Sequence, residues 1–279
     1  MTARQKEVAS APLLRRVGAM KGGALAAIDG DIGSVEDLYF DDQSWTVRWL
    51  IVDTGQWLSG RRVLISPRSV SGTDPSGQRF LTALTRAAVE GSPHIDAVRP
   101  VSRQHEIEFS GYYGLPDYWG GPYRWGVAPL PTPGSVPSGA EGYTASQRIV
   151  ERRLEGDPHL RSAAEVVGYG IHASDGDLGH VEDFLVDEES WALRYVIVDP
   201  RNWWPGNHVL IGTDWLRSVS WEMQTVSVDL TREAVRNAPV WRPELRVDRA
   251  WETELYGYYG RPRYWERPDD RFLLWPRAA

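Results

Sequence analysis

The clearest hydrophobic pattern in the chain is Trp191-Ala-Leu-Arg-Tyr-Val-Ile-Val198, a near-continuous run of β-formers in which Arg194 is the only charge. Such a run predicts a strand buried on both faces, or nearly so. Upstream, Val166–Ala173 and Leu178–Val186 are short apolar-rich runs on either side of Asp175-Gly176, a hairpin signal because Asp and Gly tolerate positive φ. Asp187-Glu-Glu-Ser190 reads as the next turn, His208–Ile211 as a strand, and Trp215–Trp221 with Thr225–Leu230 as a further pair. Thr231 then predicts the N-cap of a short helix ending near Pro239, and Asp248 caps another that runs into Gly257-Tyr-Tyr-Gly260. Closely spaced short strands of this kind predict a small barrel or sandwich with a helical appendage.

The same pattern occurs twice. Asp29-Gly-Asp-Ile-Gly-Ser-Val-Glu-Asp37 aligns with Asp175-Gly-Asp-Leu-Gly-His-Val-Glu-Asp183 at a shift of 146 residues. That shift then holds without a slip. It carries Ser44-Trp45 to Ser190-Trp191, Arg48 to Arg194, Ile51-Val-Asp53 to Ile197-Val-Asp199 and Val63-Leu-Ile65 to Val209-Leu-Ile211. It also carries Leu84-Thr-Arg86 to Leu230-Thr-Arg232, Gly111-Tyr-Tyr-Gly114 to Gly257-Tyr-Tyr-Gly260, and Tyr118-Trp119 to Tyr264-Trp265. The chain is a tandem duplication. Its expected organisation is a first domain with an aromatic tail over 10–119, a linker over 120–157, a second such domain over 158–266 and a polar C-terminal tail over 267–279. Pro129-Leu-Pro-Thr-Pro-Gly-Ser-Val-Pro-Ser-Gly139 has linker composition, and Ala145–Glu155 has helix-like spacing. Duplication often fuses a former twofold homodimer into one chain, so an intramolecular pseudo-dimer is expected.

The Asp-Gly-x-x-Gly-x-Val-Glu-Asp run, the strand Trp-x-x-Arg-Trp/Tyr-x-Ile-Val-Asp and the later Val-Leu-Ile resemble the PRC-barrel domain, over about 14–92 and again over 160–238. The resemblance implies a mainly β fold of two tandem PRC-type barrels. The domain is shared by the cytoplasmic part of the photosynthetic reaction centre H subunit and by the C-terminal domain of the ribosome maturation factor RimM. The resemblance therefore implies an interaction module rather than an enzyme, with a soluble H-subunit-like accessory of a membrane electron-transfer complex as an alternative. The acidic barrel residues of the H subunit assist proton delivery to a quinone.

Composition narrows the chemistry. The chain has 279 residues and no cysteine, which excludes disulfide scaffolds, thiolate metal sites and cysteine nucleophiles. A formal charge of −7 argues against a general nucleic-acid binder. No apolar run reaches the length that spans a bilayer, and Val17–Ile28, the longest near the N-terminus, recurs in register in mid-chain. A soluble cytoplasmic protein with no cofactor and an unknown protein partner is the expectation. Phosphate-loop, dinucleotide and nucleophile–base patterns are missing, so catalysis is not expected.

Three groups of residues remain as site candidates. The chain carries 14 Trp, 12 Tyr and 5 Phe. Trp57, Trp203 and Trp204 fall in the loop after the buried strand, and Tyr112, Tyr113, Tyr258 and Tyr259 close the two copies. Aromatics of this kind serve interfaces, or pack on their own barrel. The acidic strand pairs Glu36-Asp37 and Glu182-Asp183 recur in both copies, where turn chemistry does not explain them. His172 and His180 are expected opposite each other on a hairpin, within reach of one metal, with His208 as a third ligand, so a small-ligand or metal-binding protein is a further alternative function. The first copy has Ala26, Ser34 and Arg62 there, so a pair of surface histidines is the competing reading.

Overall fold

The computed structural model describes residues 14–93, 103–119, 123–126, 128–131, 160–200 and 207–266. In chain order the first copy holds β1 (Leu14–Arg16), β2 (Ala24–Ala27), β3 (Gly30–Asp41), β4 (Thr46–Asp53), β5 (Arg62–Ile65), β6 (Val70–Thr73), β7 (Arg79–Thr82), α1 (Arg86–Glu90) and α2 (Arg103–Tyr112). The second holds β8 (Leu160–Ser162), α3 (Ala163–Val166), β9 (Gly170–Ala173), β10 (Gly176–Asp187), β11 (Leu193–Asp199), β12 (Val209–Gly212), β13 (Leu216–Ser220), β14 (Thr225–Val228), α4 (Arg232–Arg236) and α5 (Arg249–Tyr259). The protein is mainly β, with two curled, barrel-like sheets of seven strands each. Ala145–Glu155 and the C-terminal tail lie outside the described residues. Among the described residues no helix is long and apolar enough to cross a membrane.

The strand orders are β5-β4-β3-β2-β7-β6 and β12-β11-β10-β9-β14-β13, the same in both copies. Neighbours are antiparallel except the β2/β7 and β9/β14 pairs, which are parallel. The hairpin signal at Asp175-Gly176 is correct, but Val166 ends a helical turn and the strand starts only at Gly170. Thr85 and Thr231 cap α1 and α4, each hydroxyl accepting from the backbone N–H three residues on at 3.1 Å. Asp248 caps α5 by accepting from Trp251 N–H, and Gly260 ends that helix in the left-handed region. Ser102, which stands at the position of Asp248 in the first copy and is expected to cap α2, lies outside the described residues.

The seventh strand of each sheet comes from elsewhere in the chain. β1 pairs with β10 of the second copy, Leu14, Arg15 and Arg16 facing Asp187, Val186 and Leu185. β8 pairs with β3 of the first copy, Leu160, Arg161 and Ser162 facing Asp41, Phe40 and Tyr39. These registers are the same set of positions under the 146-residue shift. One compact unit thus contains residues 14–16 with 166–266, and the other contains residues 17–165. The expected boundaries at 10 and 158 follow the duplication, whereas the compact units exchange their first strands. The long β3 makes this possible. One edge of it takes β2 along Gly30–Ser34 and the incoming β8 along Tyr39–Asp41, while β4 fills the other edge.

The cores are built as the hydrophobic pattern predicts. Every residue of β4 from Thr46 to Val52 is buried. One face of the strand packs inside the sheet and the other lies under α2, where the Trp49 and Phe109 ring centroids are 5.8 Å apart. β11 repeats this under α5 through Tyr195 and Tyr256. Gly33 and Gly179 sit where β3 and β10 cross the ends of their neighbours. A Cβ at either would lie 2.0 or 2.1 Å from the carbonyl oxygen of Asp53 or Asp199.

The strand exchange is directly testable in a cysteine-free chain. Tyr39→Cys with Ser162→Cys, cross-strand partners that are both partly exposed, is expected to oxidise to an intramolecular disulfide. Mass and gel mobility before and after reduction read the result. Free thiols or disulfide-linked dimers contradict the pairing.

Candidate interaction surface

The acidic strand pairs are placed by β-bulges. Pairing of β3 with β4 jumps between Val35 and Asp37, so Glu36 is the extra residue. The same jump between Val181 and Asp183 makes Glu182 the extra residue of β10. A bulge re-aims side chains that would otherwise alternate across the sheet. Glu36 receives a bidentate pair from Arg62, both contacts at 2.5 Å. Glu182 is met by His208 Nε2 at 2.7 Å and Arg16 Nη2 at 3.2 Å.

The aspartates take the exchanged strands. Asp183 accepts from Arg16 Nε at 3.0 Å. Asp37 accepts from the Ser162 hydroxyl and from Ala164 N–H at 3.1 Å. Arg16 and Ser162 are equivalent positions, so one carboxylate holds the incoming strand in each unit. A second repeated contact adds to it: Arg15 pairs with Glu188 at 2.7 Å, and its equivalent Arg161 pairs with Asp42 at 3.0 Å. Burial raises the Glu188 carboxyl above its usual range, against the pull of the Arg15 charge.

The histidines of the second copy do not face one another. His172 stands opposite Asp177 and pairs with it at 2.5 Å, while His180 stands opposite Gly170 and lies 3.6 Å from Asp199. The hairpin closes at Ala173 and Gly176, and that register separates the two. With His208 on Glu182, each of the three has its own carboxylate. Among the described residues no group of three or more His, Cys, Asp or Glu is placed to hold a metal ion.

The tyrosine pairs fasten the appendages. Tyr112 and Tyr258 are partly exposed, but their hydroxyls donate to the Ala88 and Ala234 carbonyls at 2.9 and 2.7 Å, tying α2 to α1 and α5 to α4. Tyr113 is buried, and burial raises its hydroxyl pKa well above the usual range. Tyr259 packs on Trp215 at 5.1 Å.

A buried carboxylate that the sequence reading missed docks each appendage helix. Glu252, on α5, is 0% exposed. Its Oε1 accepts from the Tyr195 and Tyr264 hydroxyls, each at 2.8 Å, and its Oε2 from Arg249 at 2.8 Å. The equivalent Glu106 accepts from Tyr118 at 2.5 Å and Trp49 Nε1 at 3.3 Å. Arg194 lies 4.0 Å from the Tyr264 ring and pairs with Asp187; Arg48 lies 3.7 Å from the Tyr118 ring. Burial would raise the Asp187 carboxyl, but the Arg194 charge and the Ser190 hydroxyl hold it below the usual range. Preservation of Glu106/Glu252 with Tyr118/Tyr264 under the 146-residue shift was the available signal.

Both copies leave large apolar side chains open to solvent: Val167, Met223 and Leu245 in the second, Ile28 and Leu81 in the first. Ile28 is 70% exposed just beyond β2, and Leu81 on β7 is 40% exposed. Trp57, half-buried, lies under the Arg86 guanidinium at 4.3 Å. Arg86 N–H donates to Asp29, and the Arg86 side chain passes over Gly30, so the turn carrying Ile28 and the cation on Trp57 are joined. In the second copy the Ile28 and Leu81 positions are Ser174 and Ser227. Trp203 and Trp204 lie outside the described residues.

Residues 26–87 match the PRC-barrel domain family, and the match spans β2 through the first turn of α1. No curated protein matches the chain.

Burial, the first cause, raises the Glu252 carboxyl above its usual range in the folded protein. A carboxyl whose folded pKa is raised binds its proton more tightly when folded. Its contribution is greatest at pH below the unfolded glutamate range and falls as pH rises through that range to the raised value. Glu252→Gln removes this term while keeping an acceptor for both tyrosines. The stability of the parent minus that of E252Q, from urea melts, is therefore expected to decline with pH over that window and to be flat above it. Glu252→Ala leaves two buried hydroxyls without an acceptor and is expected to cost about 3 kcal/mol at neutral pH.

Proposed function

We propose that the chain is a non-catalytic, cytoplasmic interaction protein built on an intramolecular pseudo-dimer of PRC-type barrels. Its docking face is the Ile28, Leu81 and Trp57–Arg86 surface of the first copy. The observation that carries the reading is the contrast between equivalent positions. A duplicated fold needs neither Ile28 nor Leu81 for packing, since Ser174 and Ser227 serve in the second copy, yet the first copy holds both apolar side chains in solvent. Apolar side chains beside an aromatic ring and a guanidinium are the composition of interface centres. The partner is a protein that presents an apolar side chain to this face. The reciprocal exchange of first strands supports the pseudo-dimer, because the same pairing between two separate chains would make a swapped homodimer.

A photo-crosslinking residue placed at Leu81 in the native cells is expected to give a discrete higher-mass adduct. The same residue at Ser227 is not. Ile28→Asp, at a position too exposed to disturb folding, is expected to abolish the adduct with an unchanged circular dichroism spectrum. No adduct at Leu81, or an equal one at Ser227, contradicts the proposal.

A further inference from the structure

One described segment beyond the duplicated register is bound by the first unit. Trp125 is 1% exposed. Arg48 and Arg68 lie 4.9 and 5.2 Å from its ring centroid. Arg68 Nη2 donates to the Trp125 carbonyl at 2.7 Å, and Arg48 Nη1 donates to the Arg124 carbonyl at 2.5 Å. Arg124 in return donates to the Ser44 carbonyl and to Thr46 Oγ1. The segment is turned tightly by a bridge between Tyr123 and Gly126. Gly126 has a φ of +78°, and a Cβ there would lie 2.3 Å from the Asp117 carbonyl oxygen.

Two observations mark this as recognition rather than part of the repeated fold. The first is that the second copy carries large aromatic rings where the first has small side chains. Under the 146-residue shift Ser69 and Ser110 become Trp215 and Tyr256, whose rings pack at 4.8 Å, and Arg68 becomes Asp214. The second is electrostatic. Arg48 and Arg68 are both 3% exposed, and burial together with the Arg48 charge lowers the Arg68 pKa to about 10. Among the described residues no carboxylate pairs with Arg68; its guanidinium meets an indole face and a backbone carbonyl, both supplied by Trp125. Indole faces and carbonyl oxygens are what desolvated guanidinium groups bind in place of an anion.

We propose that the Arg48–Arg68 end of the first unit is a recognition site for a tryptophan-bearing peptide turn, and that the chain's own Tyr123–Gly126 occupies it. The partner it fits is a protein segment with an Arg-Trp-Gly turn, whose carbonyls reach the two guanidiniums. This deepens the interaction-protein reading by naming a partner's chemistry and the self-contact that competes with it. It does not depend on the Ile28–Leu81 face.

The test uses the full chain and a labelled synthetic peptide, Gly-Pro-Tyr-Arg-Trp-Gly-Val-Ala-Pro, read by fluorescence anisotropy. Trp125→Ala removes the resident indole. Gly126→Ala displaces the resident turn and leaves every barrel side chain in place, which covers the case in which Trp125→Ala does not fold. Saturable binding to these variants is expected. A tethered segment competes at an effective concentration on the order of millimolar, so a peptide of ~10 µM affinity should bind the parent roughly a hundredfold less well. Replacing Trp by Ala in the peptide, or Arg68 by Lys in the variants, should weaken binding about tenfold, since each removes the desolvated guanidinium–indole contact. Folded variants that do not bind the peptide, or that bind it equally well with Lys at position 68, overturn the proposal. The Leu81 crosslink is scored in the parent chain, so the two readings fail separately.

Discussion

The strand that each sheet borrows is the constraint on which the rest of the structure depends. A three-residue strand makes few ladder bonds, so its register must be fixed by side chains. In one unit Arg15 and Arg16 meet Glu188 and Asp183; in the other Arg161 and Ser162 meet Asp42 and Asp37. The aspartates can turn toward the incoming strand because a bulge at Glu36 or Glu182 breaks the alternation of the long strand. The acidic pairs that look like chemistry in the sequence are therefore the fastening of the fold. Once both strands are in place, one compact unit joins residues 14–16 to 166–266, and the other runs from residue 17 to residue 165.

The second constraint is the buried carboxylate beneath each appendage helix. A strand apolar on both faces needs a cover, and α2 and α5 supply it. Glu106 and Glu252 fix where the helix lies by accepting from a strand aromatic and from the tail tyrosine. Around this common frame the copies diverge in what they show to solvent. The Arg62–Glu36 pair becomes His208–Glu182, and Ile28 and Leu81 become Ser174 and Ser227. Arg68 holds the Trp125 carbonyl in the first copy, while the second packs Trp215 on Tyr256 at positions that are Ser69 and Ser110 in the first.

Much of the fold was legible because its signals are local. Thr85, Thr231 and Asp248 announce helix starts through capping chemistry, and Trp191–Val198 announces a doubly buried strand by composition. The exchange was not legible. Leu14-Arg-Arg16 reads the same whether it pairs at home or abroad, since local pattern carries no information about which long strand it meets. The histidine hairpin failed because the turn is shorter than its Asp-Gly-Asp run suggests: pairing closes at Ala173 and Gly176, which sets His172 against Asp177 and leaves His180 opposite Gly170. Of the candidate aromatics, Tyr113 is buried, and Tyr112 and Tyr258 are tied to backbone carbonyls. Trp125 was not legible as a packed residue because it falls in the 120–157 span between the two copies, beyond the last repeated pair Trp119 and Trp265.

The most direct test of the interlocked architecture is to divide the chain between residues 140 and 141 and express the halves separately and together. Each half carries the strand that completes the other's sheet. The account predicts that co-expressed halves purify as a one-to-one complex with a single cooperative melt, and that neither half alone yields a folded monomer. Two folded, monomeric halves that do not associate would contradict it.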